Sequence, residues 1–144
     1  MNMTLLNLGC GHRLHPAWIN IDYVATEAGV LAHDLTRGIP FPEKAVDVVY
    51  HSHFLEHLSR AAAERCLCEC FRVLRPQGLL RVVVPDLENV VRAYLKALAK
   101  ASAGSPEWAA NYDWLLLEML DQFVREAQGG DMQTWLVQAH LPNQ

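Results

Sequence analysis

Leu5-Leu6-Asn7-Leu8-Gly9-Cys10-Gly11 is an apolar run that ends in Gly-x-Gly, and the next apolar run closes on an acidic residue, Asp22. Such a run reads as a buried strand that turns sharply at its carboxyl end, the place where open α/β sheets hold their ligands. Glycines there permit unusual backbone angles and let a bound molecule come close to the main chain. The expectation is a nucleotide-like ligand over the first strand. A dinucleotide fingerprint is excluded. Its third small residue is Leu14 here, and Asp22 arrives well before the usual spacing of about 20 residues. No Gly-Lys-Ser/Thr is present, so this is not a P-loop. Taken alone, Gly-x-Gly also fits a tight turn with no ligand.

Further segments follow in a fixed order. They are Asp34-Leu35, Ile39-Pro40-Phe41-Pro42, and Val46-Asp47-Val48-Val49-Tyr50-His51-Ser52-His53-Phe54-Leu55-Glu56-His57-Leu58. Then come Phe71-Arg72-Val73-Leu74-Arg75-Pro76-Gln77-Gly78 and Leu79-Leu80-Arg81-Val82-Val83-Val84-Pro85-Asp86. In this order and spacing, residues 4–88 resemble the class I S-adenosylmethionine-dependent methyltransferases, and within them the small "type 11" branch. The resemblance implies a Rossmann-like α/β fold with a mostly parallel sheet, and S-adenosyl-L-methionine as cofactor.

It also implies site roles. Gly9 and Gly11 approach the methionine part of the cofactor, with Cys10 as a small residue between them. Asp22 accepts the two ribose hydroxyls, which suits a carboxylate facing two adjacent donors. Asp34 accepts the adenine amino group beside the Leu35 backbone. Asn7, Tyr23 and His51 complete the expected cofactor-binding set. Methyl transfer needs in-line positioning more than acid–base help. Where the acceptor is a hydroxyl, a histidine base assists, and His51 and His53 are the two catalytic candidates. The polar alternatives are a solvated strand end for Asp22, a turn-initiating role for Asp34 and an inert lining for the histidines.

A chain of 144 residues with 51% hydrophobic and 19% charged residues is a folded domain with a real core. One methyltransferase-like domain is expected over residues 1–144, with a cofactor-binding core in 1–86 and C-terminal helices and a tail in 87–144. The net charge of −4 lacks a basic footprint, which disfavours nucleic acid as a partner. No apolar run approaches the roughly 18 residues of a membrane span. Met1-Asn2-Met3-Thr4 has no basic leader region, so a cytoplasmic location is expected.

Residues 4–9, 18–23, 30–34, 45–51 and 79–84 read as five strands. Ser59 caps a helix to about residue 74, with Leu67, Phe71 and Leu74 on its inner face. Asp86 caps a second helix over 87–101, with Val90, Val91, Tyr94, Leu95 and Leu98 as its stripe. A third helix covers 107–127, ended by Gly129-Gly130. Residues 12–17 leave no room for the helix that usually joins the first two strands. The antiparallel hairpin that usually ends this fold is not expected within these residues, which leaves a fragment, a naturally short protein or a sheet edge completed by a partner chain. The open sheet edge suggests a homodimer that completes it.

Cys66, Cys68 and Cys70 lie in a helical pattern and read as packing residues. His53, Glu56 and His57 stand at i, i+3 and i+4, a spacing at which metal ligands can converge. They resemble a segment of metal-dependent RNA 2′-O-methyltransferases, but His53 replaces a Glu, and no metal is expected. The first functional reading is a methyltransferase acting on a small-molecule or glycan-type acceptor. The alternative is a truncated, non-catalytic binding or interaction module.

Overall fold

A computed structural model describes residues 3–124, the last four of these by backbone alone. The strands are β1 (Leu5–Leu8), β2 (Ile19–Asp22), β3 (Val30–Ala32), β4 (Val46–Ser52) and β5 (Leu74–Val83). The helices are α1 (Arg60–Val73), α2 (Leu87–Ser102) and α3 (Pro106–Val124). Single 3-10 turns cover Leu35–Arg37 and Leu55–His57. The sheet order is β3-β2-β1-β4-β5, and every pairing is parallel. Residues 9–18 hold no helix, as expected. The expected end of the last helix and the tail lie outside the described residues.

Two compact units divide the chain, Met1–Val84 and Pro85–Gln144. In the first, Leu6, Leu8, Ile21 and Val49 are buried in register on neighbouring strands. With Leu35, Ile39, Cys66, Cys70 and Val73 they form the core. Each large aliphatic side chain so buried contributes roughly 1.5–3 kcal/mol. Ser59 Oγ accepts the Ala62 amide and starts α1. The inner face of α1 is Cys66, Cys70 and Val73. This corrects the expected stripe, because Phe71 is 83% exposed. The buried face is thus one residue away from the expected one. The Cys66 and Cys70 thiols are buried and Cys68 is exposed, as read from their spacing.

Glu69 and Arg72 of α1 clasp the segment before β4. Arg72 donates to the carbonyls of Ile39 and Phe41 and to Glu69, and Glu69 accepts the Ile39 amide. The Arg72 hydrogen bonds bring the Glu69 carboxyl down to about 2. β5 starts earlier than expected. Val46 pairs with Leu74 but Val48 with Leu79, so Arg75-Pro76-Gln77-Gly78 bulges out of the strand. The Arg75 guanidinium, 2.6 Å from Asp47 Oδ2, ties the bulge to β4 and holds the Asp47 carboxyl below its ordinary value. A hydrogen-bonded bulge keeps a turn-like sequence inside a strand.

The second unit is a pair of helices. Asp86 caps α2 by accepting the Asn89 amide. Tyr94 and Tyr112 stack at 5.6 Å, and Lys96 and Lys100 lie over the Trp108 ring. Val90, Val91 and Tyr94 are partly buried as expected, but Leu95 and Leu98 are exposed and Ala97 is the buried residue of α2. No described helix is long and apolar enough to cross a membrane.

Candidate functional site

After β1 the chain builds β2 and β3 on one side, then returns to build β4 and β5 on the other. β1 and β4 are therefore neighbours whose following loops leave in opposite directions. That crevice is where a doubly wound sheet takes its ligand. Gly9–Gly11 and His51–Glu56 both lie there.

Gly9 and Gly11 have φ of +60° and +51°, in the left-handed region that glycine favours. They are small for different reasons. A Cβ on Gly9 would lie 2.5 Å from the Phe54 ring, so Gly9 admits the loop after β4. A Cβ on Gly11 would meet nothing within 4 Å, so that side of the turn is open. The Asp22 carboxylate faces this turn. Oδ2 accepts the Gly11 amide at 2.8 Å, and Oδ1 accepts the Tyr23 amide at 2.7 Å. Each oxygen keeps acceptor capacity. Tyr23 stands beside it, 73% exposed.

Asn7 has a different place. Its buried carboxamide donates to Arg13 O and to Asn20 Oδ1, away from any free donor role. Asn20 donates in turn to the carbonyls of His15 and Trp18 and accepts the His15 amide. The two asparagines pin the short connection where a helix would otherwise lie, and Trp18 packs edge-on against Tyr50. Sequence reading missed Asn20. The signal was present as Ile19-Asn20-Ile21, where a polar residue points inward from a central strand.

Cys10 is buried, and burial followed by the Asp22 charge pushes its thiol up, so it stays protonated. Asp34 caps the 3-10 turn, accepting from the Thr36 hydroxyl and amide. Those bonds, the hydroxyl first, hold its carboxyl below the ordinary value. Leu35 is buried in the core, and its carbonyl accepts the Gly38 amide. His12 and Glu27, neither singled out from sequence, lie 3.0 Å apart and join the glycine turn to the loop after β2.

At the end of β4 the structure separates the two histidines. His51 pairs with Leu8 and Val82, and its ring is fully buried. Burial lowers its pKa against an opposing pull from Glu56. Among the described residues neither ring nitrogen has a hydrogen-bond partner. Phe54 packs edge-on against this ring. His53 instead turns out to solvent with its side chain 57% exposed, and its φ of +51° is rare for a residue with a Cβ. Glu56 Oε1 lies 3.3 Å from His53 Nδ1, off the line of a hydrogen bond, and both carboxylate oxygens are buried without a donor. Among the described residues no three His, Cys, Asp or Glu side chains come together as ligands for a metal ion.

S-adenosylmethionine would bring two ribose hydroxyl donors and a charged amino acid portion. An oriented carboxylate with spare lone pairs, beside a glycine turn with one open side, fits those groups.

The fold, the glycine turn and the acid at the end of β2 define a class, and comparison with known proteins agrees. The chain belongs to the methyltransferase domain family, whose model matches residues 6–82. It is 40% identical over 77 residues to a probable S-adenosylmethionine-dependent methyltransferase of Mycolicibacterium smegmatis, a match covering 47% of this chain and 29% of that protein. Its fold is similar to the crystal structure of a SAM-dependent methyltransferase from Archaeoglobus fulgidus, with a TM-score of 0.53 and 21% identity. That match covers 65% of this chain and 51% of the archaeal one. The match thus spans 29% of the mycobacterial protein and about half of the archaeal chain.

Proposed function

We propose that this protein is an S-adenosylmethionine-dependent methyltransferase acting on a hydroxyl of a small molecule or glycan. The observation that carries the reading is the Asp22 carboxylate. It is held by the Gly11 and Tyr23 amides beside the open side of the glycine turn, at the switch point of the sheet. The cofactor, when bound, supplies a methyl group on a positively charged sulfur. Asp22 would bind its ribose, Asp34 and the Leu35 backbone would face its adenine, and the Gly9–Gly11 backbone would border its amino acid portion. Of the two histidines, His53 is the exposed one and takes the role of proton acceptor. The acidic net charge supports a small or neutral acceptor over nucleic acid. Among the described residues β5 pairs on one side alone, which supports a homodimer across that edge, and sedimentation tests it.

The test is calorimetric titration with S-adenosylhomocysteine, on the protein and on Asp22→Ala and Asp22→Asn. Micromolar binding that both variants lose supports the reading. A folded protein that binds nothing at millimolar ligand overturns it and leaves the non-catalytic module.

A further inference from the structure

We propose that Glu56 is the positioning residue of His53, accepting its Nδ1–H and so leaving Nε2 bare toward the methyl acceptor. The role of His53 as base rests on the function proposed above; the contact with Glu56 does not.

Three observations meet here. First, Glu56 is a carboxylate with both oxygens buried and, among the described residues, no hydrogen-bond donor on either. Such a group costs several kcal/mol unless a charge or a donor meets it. The fold carries this cost without return unless a neighbour turns to meet it. Second, His53 lies within reach, with Nδ1 at 3.3 Å from Oε1. Its ring is largely in solvent, so a small rotation about the side-chain bonds aligns Nδ1–H with Oε1. Catalytic contacts are often loose before ligand binds. Third, the backbone holds His53 in a left-handed conformation, which costs roughly 1–2 kcal/mol. That conformation lets His53 leave β4 toward solvent while its ring stays near a carboxylate three residues on.

The 3-10 turn makes the pairing possible. Its bonds from His57 N to Phe54 O and from Leu58 N to Leu55 O bring Glu56 back over the strand end. Phe54 anchors the same turn against Gly9 and the His51 ring. His51 lies behind the pair and feels the same carboxylate charge, but its ring is sealed from solvent. Which nitrogen of a histidine carries the proton is set by the partner of the other nitrogen. A carboxylate at Nδ1 therefore makes Nε2 the acceptor. The acceptor's proton goes to Nε2, and the imidazolium so formed lies against Glu56.

The experiment reads the His53 tautomer directly, by nitrogen-15 NMR of the whole protein in alkaline buffer where imidazoles are neutral, alongside a thermal melt. The expected form in the native protein is Nδ1–H. Glu56→Leu removes the acceptor and the buried charge, so His53 should lose its Nδ1–H preference while the melting temperature holds or rises. Glu56→Gln keeps an oxygen at that place and should restore the preference. If His53 is Nε2–H in the native protein, or its tautomer is the same in Glu56→Leu, the proposal is overturned. If Glu56→Leu does not fold, loss of the preference in Glu56→Ala decides in its place. Failure to bind S-adenosylhomocysteine with the tautomer result intact overturns the proposed function and leaves the Glu56–His53 pair standing.

Discussion

Two loops face each other across the crevice between β1 and β4, and they treat buried polar groups in opposite ways. Around the β1–β2 connection, Asn7 of β1 and Asn20 of β2 are buried, yet their carboxamides are tied to Arg13, His15, Trp18 and each other. At and after the end of β4, His51 and Glu56 hold four buried polar atoms without hydrogen-bond partners among the described residues. The first loop is a finished piece of architecture that replaces a helix with a polar network. The second keeps unmet polarity in a dry place, which proteins retain mainly where a ligand or a proton has to be handled. On this contrast, the β1 side satisfies its buried carboxamides and the β4 side leaves its buried polar atoms unmet among the described residues.

The contrast can be broken at several points. The largest effect should come from Asp22→Ala, which removes the carboxylate from the glycine turn. S-adenosylhomocysteine affinity should fall by about 100-fold or more, since a charge-assisted pair of hydrogen bonds is lost. Calorimetry reads this, and undiminished binding would end the proposed role of Asp22. Next is Asn20→Leu, which strands the Asn7 amide and the His15 and Trp18 carbonyls. It should destabilise the protein by about 2–4 kcal/mol in urea unfolding. A neutral result would mean that the network is ornamental.

Glu56→Leu should do the reverse. With an unpaired buried carboxylate replaced by an apolar side chain, stability should hold or rise by about 1 kcal/mol. A loss like that of Asn20→Leu would place both loops in the same structural category. The smallest effect concerns pH. Burial keeps His51 below its ordinary value of 6.5, so the unfolded chain binds this proton more readily than the folded one. The stability contributed by a neutral His51 is present above pH 6.5 and lost as pH falls below it. Melting temperatures measured through that range should slope less in His51→Leu than in the native protein.

Much of this was legible in the residues. Leu5 to Gly11, the apolar Val46-x-Val48-Val49 run and the turn residues between them predict alternating strands and loops. The sheet follows, because parallel strands with short crossovers have few other arrangements. Ser59 and Asp86 act as the helix caps their positions suggest. The inner face of α1 was misread at Phe71, since two stripes one residue apart, Cys66–Cys70–Val73 and Leu67–Phe71–Leu74, both have helical spacing. The Arg75–Gly78 stretch read as a loop because its composition is that of a turn, while the Arg75–Asp47 pair that holds it in the strand joins residues far apart in the chain.

The candidate site divides in the same way. Gly9, Gly11, Asp22 and Asp34 could be named from local pattern, because turn geometry and strand ends leave local marks. Their partners could not. That Gly9 is small for Phe54 and that Asn7 serves Asn20 depend on which segments the sheet brings together, whereas His53 and Glu56 are neighbours by their spacing in the chain. His51 and His53 are equivalent candidates in sequence, two residues apart at the end of one strand. The backbone at His53 leaves the strand geometry, sending one ring into the core and the other to solvent. The sequence by itself determined the family, the parallel order of elements and the acidic residues at the strand ends, because each is encoded in contiguous residues. Only the tertiary structure decided which polar groups are matched and which histidine is exposed, because burial and hydrogen bonding are properties of chains brought together across distance.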